Sequence, residues 1–154
     1  MGEFTIREDN LTGQEIAALL QLHLSEMHSW SPPESVHAMP IERLRQADVT
    51  FYSVWDGTRL AACGAIKHLS DRHGELKSMR ADPAYRGRGA GKAVLQHLLQ
   101  VARARGYARV SLETGKPEMF LPARQLYESY GFAKCPPFGD YVEDDFSLCM
   151  TLEL

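Results

Sequence analysis

The densest run of residues able to do chemistry lies between Met79 and Leu99, where Arg86, Arg88 and Lys92 are interleaved with Gly87, Gly89 and Gly91. Asp82-Pro83 precedes this loop and ends a strand that runs to about Ala81, because proline cannot continue a hydrogen-bonded ladder. A helix begins on the far side, with Val94, Leu95, Leu98, Leu99 and Ala102 on one apolar face. A strand, a glycine loop and a helix start in this order suit an anion, above all a phosphate. Glycines let backbone N–H groups approach closely, the first helical N–H groups lack internal partners, and the helix dipole favours negative charge there. Spacing narrows the kind of phosphate site. A Walker A loop requires Gly-x-x-x-x-Gly-Lys-Ser/Thr, but Gly91-Lys92 is followed by Ala93 and the first glycine position holds Arg86. A dinucleotide fingerprint requires Gly-x-Gly-x-x-Gly, and its third position is Lys92. What remains is Arg-x-x-Gly-x-Gly, met by Arg86, Gly89 and Gly91. Taken alone, the loop could also be an ordinary strand-to-helix turn with solvated arginines.

The elements that must hold this loop follow from pattern. Phe4–Arg7 reads as a short strand. Thr12 and Glu15 have capping-box spacing ahead of a helix carrying Ile16, Leu19, Leu20, His23, Leu24 and Met27 on one face. His23 reads there as a satisfied core histidine. From His28 to Pro40 the chain is irregular, with polar and aromatic residues held by prolines, a loop able to line a pocket or merely to connect. Ile41–Arg45 looks like one or two helical turns. Val49–Trp55, Arg59–His68 and Glu75–Ala81 read as an antiparallel meander, with Asp56-Gly57 as a tight-turn signal and Ser70–Gly74 as a polar turn. After the loop helix, with Gly106 a candidate C-cap, come a strand at Ala108–Glu113, a short helix at Ala123–Tyr130 ended by Gly131, and a strand at Phe146–Leu154. Mixed strands and helices without repeat or linker predict one α/β domain over residues 1–154.

Composition sets limits on function. With 154 residues, 44% of them hydrophobic, the chain can bury a substantial core. A formal net charge of −3 argues against general nucleic-acid binding, since no basic excess exists to neutralise a polymer's phosphates. Local basic clusters at Arg80–Lys92 and Arg103–Arg109 suit a single phosphorylated ligand instead. Cys63, Cys135 and Cys149 form no Cys-x-x-Cys and read as small core residues of a reducing compartment, with no disulfide frame or metal site expected. No apolar run approaches the roughly 20 residues of a membrane span, and the expectation is a cytoplasmic protein without membrane partner.

The Arg86/Gly89/Gly91 loop resembles motif A of the GNAT acetyltransferases, and the element order extends the resemblance over nearly the whole chain. A second signature of that family, Ala-x-x-Leu-Tyr-x-x-x-Gly-Phe, is present as Ala123, Leu126, Tyr127, Gly131 and Phe132. Gly74-Glu75-Leu76-Lys77-Ser78-Met79, Leu112-Glu113-Thr114-Gly115 and Pro137-Phe138-Gly139-Asp140-Tyr141 are similar to a YsnE-like bacterial subgroup. One departure stands out: many members carry asparagine three residues before Ala123, where this chain has Phe120, so contacts made through that asparagine do not carry over. The resemblance implies the GNAT fold, a mixed and mostly antiparallel sheet with helices on both faces. It implies acetyl-CoA as co-substrate, no metal, and N-acetyl transfer to a primary amine.

Acetyl transfer from a thioester needs a neutral amine held against the carbonyl, stabilisation of the developing oxyanion, and a proton for the departing thiolate. By resemblance, main-chain groups of Met79 and Ala81 pair with the pantetheine amides, and the Met79 N–H polarises the acetyl carbonyl. The pyrophosphate rests on Arg86, Gly87, Arg88, Gly89, Ala90, Gly91 and Lys92. Tyr127 matches the family tyrosine that faces the sulfur, which makes it the expected general acid; the alternative is a tyrosine packed in the core. Glu75 is the candidate base, with a substrate-binding or solvated role equally open. Trp30, Tyr52, Arg80 and Tyr141 are candidate substrate contacts, and the acidic run Asp140, Glu143, Asp144 and Asp145 either attracts a cationic amine or is a solvated loop. The acceptor is expected to be a small-molecule amine, with a homodimer an open option. A non-catalytic acyl-CoA-binding sensor is the competing class, and thioester hydrolysis a third.

Overall fold

Strand β2 (Val49–Asp56) sorts the protein into two faces, because successive side chains on a strand point opposite ways. Phe51 and Trp55 join Ile16, Leu19 and Leu44 in one core, whereas Val54 joins Val94, Leu95 and Leu98 in another. The first face is covered by α1 (Gln14–Trp30) and α2 (Ile41–Leu44), the second by α3 (Ala90–Ala104). The apolar stripe of α3 is buried throughout, and each such side chain contributes roughly 1.5–3 kcal/mol. Strand β3 (Arg59–Ser70) lies between the two cores, so its residues from Leu60 to Ile66 are buried without alternation.

In this computed structural model, residues 3–154 are described. The remaining strands are β1 (Thr5–Glu8), β4 (His73–Ala81), β5 (Arg109–Gly115), β6 (Ala133–Cys135) and β7 (Ser147–Glu153), with α4 (Leu121–Ser129) between β5 and β6. They form one sheet in the order β1-β2-β3-β4-β5-β7-β6. Every neighbouring pair is antiparallel except β4 and β5.

Two local expectations are corrected, and one strand was not expected. Helix α1 starts one residue after Gly13 with no side-chain cap, and the Thr12 hydroxyl bonds Asn10 instead of the helix, so the capping box is not formed. The turn between β3 and β4 is shorter than Ser70–Gly74, because both strands run further than their apolar residues indicate. Strand β6 has no apolar alternation of its own; it exists because Ala133–Cys135 pairs with the edge of β7.

Candidate active site

The parallel pairing of β4 and β5 is short. It joins His73, Gly74 and Glu75 to Arg109, Val110 and Ser111 and then stops. Beyond that point the strands separate, and Leu76–Ala81 and Leu112–Gly115 form two walls of a cavity of about 850 Å³. Strand edges that leave their ladder in the middle of a sheet expose backbone donors and acceptors that require partners. An extended chain bearing amides can supply them by lying between the strands.

Inside this gap β4 is irregular. Cys63 pairs with Arg80 and Ala65 with Lys77, which leaves Ser78 and Met79 together opposite Gly64. This is a β-bulge, and Ser78 takes a left-handed φ of 54° to form it. Gly64 is required by packing, since a Cβ there would lie 2.7 Å from the Met79 sulfur and 3.0 Å from Val94. The bulge therefore sets the backbone of Met79 within the cavity wall.

The glycine loop closes one end. Among the described residues, the N–H groups of Gly87, Gly89, Ala90, Gly91 and Lys92 have no protein partner; the first helical bond runs from the Ala93 N–H to the Gly89 carbonyl at 2.9 Å. The loop is anchored on both sides. Asp82 accepts the Ala84 N–H at 2.9 Å, and the buried Tyr85 hydroxyl donates to Asp56 at 2.6 Å. Arg86, Gly87, Gly89, Gly91 and Lys92 line the cavity, while Ala90 is buried in the core. Arg88 does not line it; its guanidinium lies over the Tyr85 ring, 5.0 Å from the centroid. Unpaired N–H groups at a helix start, two lysine or arginine side chains, and a slot between splayed strands fit the pyrophosphate and pantetheine of coenzyme A.

Tyr127 and Glu113 are among the cavity-lining side chains that can move protons. Tyr127 on α4 is buried, lines the cavity and has no hydrogen-bond partner among the described residues; burial raises its pKa well above the ordinary phenol value. It is thus held protonated, as a donor must be. Glu113 on β5 also lines the cavity, and burial raises its pKa despite a bond of 3.0 Å to His37 Nδ1. Neither Glu113 nor His37 was expected from the sequence as a catalytic group. The signal was present only as a carboxylate in an apolar strand, two residues before a glycine.

Glu75 is placed differently. It is 2% exposed, lies outside the cavity lining, and is occupied by the Tyr141 hydroxyl and by Lys77 Nζ at 3.4 Å. Lys77 in turn bonds Tyr141 at 2.5 Å and the His37 carbonyl at 3.3 Å. Tyr141 is therefore not a free aromatic wall but part of a buried network one layer behind His37, whose ring it meets edge-on at 5.1 Å. Tyr52 is further away, meeting His97 of α3 edge-to-face at 4.5 Å and absent from the cavity lining, because its position on β2 faces α3. Trp30 and Arg80 do line the cavity. His23, expected in the core, lines it too, and its Nδ1 has no partner; burial, with the Arg80 charge nearby, pushes its pKa down to about 4.

The other candidate contacts are structural. Glu143 bonds Lys116 at 3.0 Å and Lys134 at 3.1 Å, and Asp144 accepts from Ser35 and from the Phe146 and Ser147 N–H groups. Phe120 packs on Gly115, where a Cβ would fall 2.2 Å from its ring, and meets Trp30 edge-to-face at 5.4 Å. The position of the family asparagine is thus a cavity wall. Burial raises the Cys63 thiol to about 12 and Cys149 to about 11, so neither offers a thiolate nucleophile near neutral pH. Among the described residues no His, Cys, Asp and Glu group could hold a metal, and no helix is long and apolar enough to cross a membrane.

Comparison with known proteins agrees with this geometry. The model of the acetyltransferase (GNAT) family matches residues 16–132. The chain is 51% identical to the uncharacterized N-acetyltransferase YsnE of Bacillus subtilis, covering 97% of this chain and 99% of that protein. It is 50% identical to the uncharacterized N-acetyltransferase YedL of Escherichia coli, covering 98% and 95% of the two. A solved Klebsiella pneumoniae structure assigned to the acyl-CoA N-acyltransferases superposes with a TM-score of 0.79 at 26% identity, over 98% of this chain and 97% of that one. With its glycine loop, its splayed strands and these relatives, the chain belongs to the GNAT family of acetyl-CoA-dependent N-acetyltransferases.

Proposed function

We propose that this protein transfers the acetyl group of acetyl-CoA to the primary amine of a small molecule by direct attack in a ternary complex. The observation that carries the reading is that the one cavity opened between β4 and β5 is lined by both an unpartnered, protonated Tyr127 and a Glu113 whose pKa is raised. The bound co-substrate supplies an activated thioester carbonyl. Gly87 and Gly89–Lys92 hold the pyrophosphate by backbone N–H groups, and the edges of Met79 and Ala81 pair with the pantetheine amides. The Met79 N–H, set by the bulge opposite Gly64, donates to the oxygen on which negative charge develops.

Glu113 accepts the proton of the incoming ammonium, since a carboxylate with a raised pKa is a better base than an ordinary one. His37 orients it. Tyr127 donates to the departing sulfur. Glu75 holds Tyr141 and Lys77, and through Lys77 the backbone of His37. The raised cysteine thiols argue against a covalent acyl-enzyme.

The test is coenzyme A thiol release from acetyl-CoA against a panel of amino acids, polyamines, aryl-alkyl amines and short peptides. Acceptor-dependent release that collapses in Glu113→Gln and in Tyr127→Phe, with acetyl-CoA affinity retained, is the expected result. Binding of acetyl-CoA without release for any acceptor would instead favour a non-catalytic sensor.

A further inference from the structure

We propose that the acceptor is an amine that also carries a carboxylate, an apolar amino acid in the simplest case, and that Arg80 with His23 reads that carboxylate. The inference rests on the acetyltransferase reading above and names the acceptor class. Arg80 is 9% exposed, lines the cavity and uses one guanidinium nitrogen to bond Glu26, while its Nε is buried with no partner. Nδ1 of His23 and the hydroxyl of Ser78 are also buried without partners, and both residues line the same cavity. These three atoms are sealed from the cavity, but Nη1 of Arg80 is not among the buried atoms and has no partner among the described residues, so it is the donor left open to a ligand there.

A guanidinium fork matches a carboxylate, and a neutral imidazole can add one further bond. Lys77 is the other cation of this strand face, but it is buried, paired with Glu75 and hydrogen-bonded to Tyr141 and the His37 carbonyl. Arg80, paired with Glu26 through one nitrogen only, is therefore the cation of this strand face with a donor left over. Glu26 also separates it from the co-substrate loop, holding Arg80 with one carboxylate oxygen and Arg86, at 3.5 Å, with the other. The residue spacing His23, Met27 and Trp30 places apolar Met27 and Trp30 on the same helix face as the imidazole. Both line the cavity, and Trp30 lies 5.9 Å from the Arg80 guanidinium. That wall suits an apolar body between the carboxylate and the amine.

The experiment is calorimetric binding to the protein saturated with coenzyme A, using matched sets: phenylalanine, phenylalaninamide and phenethylamine, and the leucine and tryptophan equivalents. The carboxylated member of at least one set should bind roughly ten- to a hundredfold tighter than its amide. Arg80→Gln should erase that preference while acetyl-CoA affinity stays within about twofold, and Arg80→Lys should restore part of it. Equal or absent binding of the carboxylated members by the wild-type protein overturns the proposal, whether or not the variants fold. So does a loss of acetyl-CoA affinity in Arg80→Gln with the amine preference intact, which would assign Arg80 to the co-substrate. A carboxylated amine that binds tightly yet is never acetylated leaves this inference standing and counts against the acetyl-transfer reading.

Discussion

Strands β4 and β5 are one ribbon in two states, closed over Glu75 and Ser111 and open from Leu76 and Leu112 onward, and each part holds a glutamate on the α1 face. In the closed part Glu75 is buried, Lys77 balances its charge, and the Tyr141 hydroxyl donates a hydrogen bond to it. In the open part Glu113 has one side-chain partner, His37, and borders empty space. The same residue type is enclosed by its partners where the strands pair and faces the cavity where they part. A carboxylate needs an unfilled side to take a proton, and only the splay provides one.

Breaking each glutamate separately sharpens the contrast. Glu113→Gln should lower kcat/KM by about 10²–10⁴-fold with little change in thermal stability, measured by steady-state thiol release and calorimetry. Glu75→Gln should instead cost about 3 kcal/mol of stability, because it leaves the Lys77 charge buried against a neutral partner. Denaturant unfolding reads this, and a stably folded Glu75→Gln with abolished turnover would move the base back to Glu75. Tyr127→Phe should reduce kcat by about a hundredfold without weakening acetyl-CoA binding, since the lost hydroxyl acts only on the leaving sulfur.

The pH profile carries the same comparison at smaller amplitude. Burial raises Glu113, so the acid limb of kcat/KM should lie above the 4.5 of an ordinary glutamate: activity rises with pH as the carboxyl loses its proton. Glu113→Gln should remove that limb. Stability moves the opposite way, because the native state holds this proton more tightly than the unfolded chain. The Glu113 contribution is present below the unfolded value and is lost as pH rises through the folded one. The smallest expected change is Gly64→Ala, whose new methyl must displace the Met79 side chain. It should cost about 1–3 kcal/mol and lower kcat by shifting the bulge.

Much of the fold is legible in local pattern. The α3 stripe, the Asp82-Pro83 stop, the glycine loop and the meander are written in spacings of a few residues, and they appear where spacing puts them. What failed were readings that depend on an unseen neighbour. Tyr52 and Tyr141 are aromatic residues near the right strands, but strand alternation turns Tyr52 toward His97, and the loop between β6 and β7 carries Tyr141 into the Glu75 network. His23 sits on an apolar helix face, which reads as core, yet the residues opposite it are a cavity wall.

The amino-acid sequence by itself determined the anion loop, the helix and strand periods, and the pairing of an arginine-glycine motif with a distant tyrosine motif. These are short-range features, set by backbone sterics and by the 3.6- and 2-residue repeats of side chains. The tertiary structure alone decided which carboxylate faces the cavity and which is buried behind it. Glu75 and Glu113 are 38 positions apart and chemically identical. Their difference arises from where β4 and β5 stop pairing, a property of the whole sheet, because burial and the number of hydrogen-bond partners exist only once distant segments have met.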